Sequence, residues 1–192
     1  GDISGSATAL NVSAIDAQVT GEGLTASYLG DFKISEGGFK DGQFPALNGA
    51  FDLSIASLEA LAAKAAIAVP FADVAGGLNA RGAVSGPIDA LSISDFFAQL
   101  GGGLLTAKFE NAAITLGEAM RVSGQMSLSA DSVKALAAKA GSPLPDSSDA
   151  FGPFALSGAV SGTPQNMRFD NADLSFDAIK GTGGFGVDLT GS

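Results

Sequence analysis

The residues whose types and spacing suggest chemistry lie in the last part of the chain. Gly181-Thr182-Gly183-Gly184-Phe185-Gly186 matches the GxGxxG of dinucleotide sites, and the overlapping Gly183-Gly184-Phe185-Gly186-Val187-Asp188 matches the opening of a calcium nonapeptide. A pyrophosphate loop needs a helix behind it, so that phosphate oxygens meet the helix N-terminus. Here Phe185, Val187 and Leu189 alternate with Gly186 and Asp188, which is the period of a strand. Calcium nonapeptides work in tandem, and this chain has one copy with Thr190 where a large apolar residue belongs. Gly181-Thr182-Gly183 therefore reads as a hairpin turn. Asp170, Asp173 and Asp177 gather near Asp188, and two carboxylates held close can do acid–base work. Spacings of three and four, with Arg168 and Lys180 among them, read instead as solvated carboxylates on differing faces. The loop residues Asp146-Ser147-Ser148-Asp149 read the same way.

Composition removes most other chemistry. The 192 residues include no histidine, cysteine or tryptophan, so Ser-His-Asp and Cys-His nucleophiles and the usual zinc ligand sets are excluded. A net charge of −10 repels phosphate backbones, which argues against nucleic acid as a partner. With 46% hydrophobic and 16% charged residues, the chain is too apolar for disorder. Its richest apolar stretch, Leu58 to Val69, carries Glu59 and Lys64 and is too short to span a bilayer. Gly1 opens directly into patterned sequence, so no signal peptide is expected in these residues. Lack of cysteine excludes a disulfide framework and fits cytosol or periplasm equally. No enzyme activity, cofactor or metal is expected.

The elements that carry these residues are repeats. Gly1 to Tyr28 aligns without a gap on Gly82 to Phe109, with twelve of 28 positions identical, and Gly-Ala-Val-Ser-Gly returns at Gly158 to Gly162. Phe51 to Ala65 recurs as Met126 to Ala140, and Phe176 to Leu189 echoes Phe96 to Phe109. The expected organisation is one continuous array with units of about 1–81, 82–157 and 158–192, the last truncated. Tyr28, Leu53, Ile55, Leu105, Phe109, Phe185, Val187 and Leu189 all sit in runs of period two, which predict strands joined by Gly-rich turns. Ser57 and Ser132 are N-cap candidates, each before apolar residues at i, i+3, i+4 and i+7, and predict one short helix per repeat. Gly141 with Pro143, and Pro70, stop these helices.

About five strands per unit at roughly 4.8 Å spacing predict an open sheet some 55–65 Å across. Two helices of about ten residues, roughly 15 Å each, cannot cover its apolar face. That face must fold onto itself, pack on another layer or hold something apolar. A closed β-sandwich or solenoid core meets the demand as well as a groove does.

Three stretches carry a family resemblance: Phe32 to Ser54, Ser157 to Ser192, and the helix Ser57 to Ala65 with its second copy. On them the chain resembles the C-terminal periplasmic region of the AsmA family of Gram-negative bacteria. The resemblance implies a mainly β fold, a long antiparallel sheet curled into a taco-like groove with an apolar lining. It also implies a non-enzymatic role in phospholipid traffic and outer-membrane biogenesis, in the periplasm. The inner-membrane tether of such proteins is absent from these residues. Phospholipid acyl chains are the expected ligand and envelope proteins possible partners, with no nucleic acid. The candidate lining is Tyr28, Leu53, Ile55, Leu105, Phe109, Met126, Leu128, Phe185, Val187 and Leu189. The alternative is a scaffold or docking module of envelope assembly with a closed β core.

Overall fold

The computed structural model describes residues 1–6, 9–35, 44–66, 72–117, 119–139, 141–144 and 151–188. Leu189, Pro70, Ala140 and the 146–149 loop lie outside the described residues. The strands are β1 (Asp2–Ser6), β2 (Ala9–Gly21), β3 (Leu24–Ile34), β4 (Ala46–Ile55), β5 (Gly76–Pro87), β6 (Ser92–Gly102), β7 (Leu105–Thr115), β8 (Arg121–Ala130), β9 (Phe154–Gly162), β10 (Asn166–Phe176) and β11 (Ile179–Asp188). All eleven join one antiparallel sheet in chain order, so every strand pairs with its sequence neighbours. The sheet is open and not closed on itself. The repeat is built from four strands, β1–β4 and β5–β8, where the alternation suggested about five. Eleven strands at ~4.8 Å span about 48 Å.

The α-helices sit at one end of the strands. α1 (Leu58–Ala65) and the single turn α2 (Ala72–Ala75) connect β4 to β5, and α3 (Val133–Lys139) follows β8. Both predicted caps form: Ser57 Oγ accepts from the Ala60 N–H at 3.2 Å, and Ser132 Oγ from the Ala135 N–H at 3.1 Å. α2 packs against β5, β6 and β7, and α1 against α2 and β5. Val74 of α2 is the most buried side chain described, and Ile55, Ala80 and Ala130 are buried at the same end of the sheet.

The repeats follow one path. A shift of 81 residues carries β3 onto β7 end for end, and carries Ala14 (φ 51°) onto Asp95 (φ 50°). Asn171 (φ 51°) holds the same place in β10. Each of these left-handed residues is the extra residue of a β-bulge, marked by a register shift between Val12 and Ile15, Ile93 and Phe96, or Phe169 and Ala172. A fourth bulge, with Asn111 at φ 49°, lies in β7. The third hairpin is shorter than its counterpart. Phe176 pairs with Ile179 where Leu100 pairs with Ala107, so Phe176 takes the place of Leu100 and not of Phe96. Its turn is Asp177-Ala178, with Asp177 at φ 52°. Gly181-Thr182-Gly183 is therefore strand and not turn. Asp177 supplies the positive φ that a two-residue hairpin needs, which leaves the glycines free to run on as β11.

Bulges and glycines together form a band across the middle of the sheet. Gly82 faces the β6 bulge, Gly124 the β7 bulge, and Gly158 and Gly184 flank the β10 bulge. A Cβ on Gly124 would lie 2.8 Å from both Ala112 Cβ and the Phe109 ring, and one on Gly158 would lie 3.1 Å from Ala172 Cα. Gly30 and Gly49 pair directly under the Tyr28 ring. A bulge bends its strand and increases local twist, and glycine lets the backbone approach closely, so the band is a crease.

A Cβ on Gly30 would overlap the Asn48 carbonyl oxygen and lie 2.5 Å from Gly49 Cα, and backbone has no room to give. Gly30→Val is expected to cost about 3 kcal/mol in urea denaturation. At Gly181 no described atom lies within 4 Å of a Cβ, and Gly181→Val is expected within about 0.5 kcal/mol of wild type. Equal effects at the two sites would contradict the crease.

Candidate functional site

Paired residues in an antiparallel ladder point to the same face, so the register assigns every side chain to one side. The chain of pairs Tyr28–Phe51–Gly82, Leu53–Ala80–Ala98–Phe109–Met126–Gly158 and Leu128–Leu156–Leu174 runs along one face. Phe169–Phe185 and Met167–Val187 continue it onto β11. Tyr28, Leu53, Ile55, Leu105, Phe109, Met126, Leu128, Phe185 and Val187 all lie on this face, and Leu189 lies outside the described residues. Along the eleven strands the face carries no charged side chain, and Tyr28 brings its one polar group.

The opposite face holds the charges. Lys108 pairs with Glu110 at 2.6 Å, Arg168 reaches Asp170 at 2.8 Å, and Arg81 lies 4.6 Å above the centre of the Phe97 ring. Asp170 and Asp173 are both there, because the β10 bulge adds a residue between them; the expectation of differing faces fails on that extra residue. Thr182 and Asp188 of the glycine motif also belong to the polar face. The motif is strand throughout, with its backbone committed to a ladder and not to a phosphate loop. Among the described residues no three His, Cys, Asp or Glu converge as a metal site.

The bulges keep the apolar face continuous. A strand with apolar residues at Val12 and Ile15, or Phe169 and Ala172, would turn half its apolar set to water if it alternated strictly. One extra residue restores the phase. The three-residue spacing was the available sequence signal, and period-two reading passed over it.

Aromatic rings line the crease. Phe96 lies 6.4 Å from Phe51 across Gly82 and 6.2 Å from Phe109, and Phe169 stacks on Phe185 at 4.7 Å. Val160, Phe169 and Ala172 are buried, with Phe109, Met126, Leu156 and Met167 packed against them. A flat single layer leaves each side chain one open side. Val160 is 2% exposed because Phe109, Met126, Leu156 and Met167, from β7 to β10, pack against it and its neighbours Phe169 and Ala172. Toward the strand ends and edges the same face is open: Ile3 is 75% and Ile179 64% exposed. The result is a trough with a packed floor and accessible apolar rims.

Compared with known proteins, the chain matches no family model, no curated protein and no solved structure.

The Tyr28 hydroxyl donates to the Asp31 carbonyl at 2.9 Å, which satisfies the one polar side-chain group that the apolar face carries among the described residues. Burial among apolar neighbours, and the Asp31 carboxylate nearby, push its phenol above the ordinary 10.0. As the chain's one tyrosine, with no tryptophan, it can be titrated alone by phenolate absorbance. The midpoint is expected above 10.0. Its contribution to stability is full below the unfolded value and is lost as pH rises through the folded one. Tyr28→Phe should abolish that alkaline loss. A midpoint at or below the ordinary value would contradict the partial burial of Tyr28.

Proposed function

We propose that the chain is a non-enzymatic lipid-shielding segment whose apolar trough receives phospholipid acyl chains and leaves their headgroups in water. The observation that supports this most directly is the apolar face itself. It runs unbroken over eleven strands without a charge, and among the described residues no second layer covers its rims. Each methylene buried there contributes about 0.8 kcal/mol without any headgroup contact, and uniform lining lets a chain slide between neighbouring sites. A charge in the floor would halt it, since an unpaired buried charge costs several kcal/mol.

The resemblance to the AsmA periplasmic region agrees with this reading. It extends the proposal to a periplasmic place, a tether to the inner membrane in the parent protein, and service to the outer membrane. A scaffold role for envelope proteins predicts no dependence on the trough floor.

Phe109→Asp places a carboxylate at the crease and is expected to weaken binding of a phospholipid with a fluorescent acyl chain more than tenfold. That equals about two buried methylenes at ~0.8 kcal/mol each. Val187→Asp, nearer the edge, should act in the same direction with smaller effect. Thr106→Asp, on the polar face, should leave binding unchanged. Circular dichroism must show the sheet intact in each variant. Wild-type binding by folded Phe109→Asp protein would end the trough reading in favour of the scaffold.

A further inference from the structure

We infer that the sheet end opposite the α-helices is a docking rim for a neutral phospholipid bilayer, from which acyl chains pass into the trough. The inference rests on the trough reading for what the docked bilayer supplies. At this end the connections β3–β4, β5–β6 and β7–β8 each expose one large apolar side chain: Phe44 at 50%, Ile88 at 46% and Met120 at 36%. Turns are ordinarily the polar parts of a sheet, because they face water however the layer bends. A lone exposed apolar residue needs no explanation, but one on each of three successive hairpins makes a row. Main-chain bonds between the hairpins hold that row in place. The Ile88 N–H donates to the Pro45 carbonyl at 2.8 Å, and the Leu116 N–H to the Leu91 carbonyl at 2.7 Å. Connections at the helical end are charged instead, with Glu22, Glu59, Lys64, Asp131 and Asp177 exposed. Leu104 is the one exposed large hydrophobic in a connection there among the described residues.

Spacing and charge identify what the row meets. Each hairpin advances the row by two strands, about 10 Å. Prongs so far apart do not form the contiguous, shape-matched patch that a folded protein partner needs, whereas a fluid bilayer closes around each one. The apolar face begins immediately behind them. Phe32 pairs with Leu47 there, and Val84, Ile93, Ile114 and Val122 pair in turn from β5 to β8. An acyl chain that leaves a bilayer at the tips thus reaches the trough without passing a charged side chain on that face. A net charge of −10 repels anionic headgroups, so the fitting surface is zwitterionic, and insertion of apolar side chains carries the contact.

The chain contains no tryptophan, so one introduced indole reports its own surroundings. The whole chain with Ile88→Trp is mixed with phosphatidylcholine vesicles, and Leu104→Trp at the helical end is the comparison. For Ile88→Trp the emission is expected to shift to the blue and to be quenched by brominated acyl chains, undiminished in about 0.5 M salt. Neither change is expected for Leu104→Trp. The triple variant Phe44→Ser/Ile88→Ser/Met120→Ser should bind vesicles more than tenfold more weakly, with its circular dichroism unchanged and its binding of a dispersed short-chain phospholipid retained. Wild-type protein that docks on vesicles but binds no short-chain phospholipid would remove the trough reading and leave the rim standing. An unresponsive Ile88→Trp, an equal response from Leu104→Trp, loss of docking in salt, or full vesicle binding by the triple variant would overturn the rim. So would a blue shift that appears without vesicles and rises with protein concentration, since a second copy would then cover the row.

Discussion

A single layer of antiparallel strands with one face apolar but for the Tyr28 hydroxyl must hide much of that face, and nearly every local feature of this chain answers to the requirement. Among the described residues, two short α-helices and a one-turn helix lie at one end of the strands. The remainder is handled by bending. Bulges at Ala14, Asp95, Asn111 and Asn171 and the glycines opposite them crease the sheet, so the side chains at mid-strand bury one another without a second layer. Hydrophobic burial drives the bend, and backbone geometry decides where it falls.

The same device separates floor from rim. At the crease the rings of Phe51, Phe96 and Phe109 and the side chains around Val160 pack at contact distance. Toward Ile3, Val19 and Ile179 the apolar surface meets solvent. A protein that required only stability gains nothing from exposed rims of this kind; a protein that takes in an apolar ligand along its length needs them. Charges on the far face keep the layer soluble and set which face turns inward, because a one-residue slip would bury Asp52, Arg81, Lys108 and Arg168 together.

Much of this was legible in the sequence, for physical reasons that mark the boundary of what was not. Period-two alternation encodes which residues share a face, and Tyr28, Leu53, Phe109 and Met126 could be grouped because alternation survives any bend. The N-caps Ser57 and Ser132 were readable because capping is local. The bulges were not, since Ala14 and Asp95 look like any strand residues and only the three-residue gap from Val12 to Ile15 betrays them. Gly181 to Gly183 misled because glycine serves both turns and close backbone approach, and the turn itself was carried by Asp177. Openness of the sheet was also illegible: a closed sandwich and an open trough need the same alternation, and only the pairing order of distant strands tells them apart.

The central claim is that the trough takes up acyl chains, and native mass spectrometry of the chain purified from a Gram-negative host tests it most directly. The account predicts that folded protein carries phospholipid adducts that leave on collisional activation and return when lipid is added back. Folded protein that flies only at its bare mass, and acquires no phospholipid on addition, would contradict it.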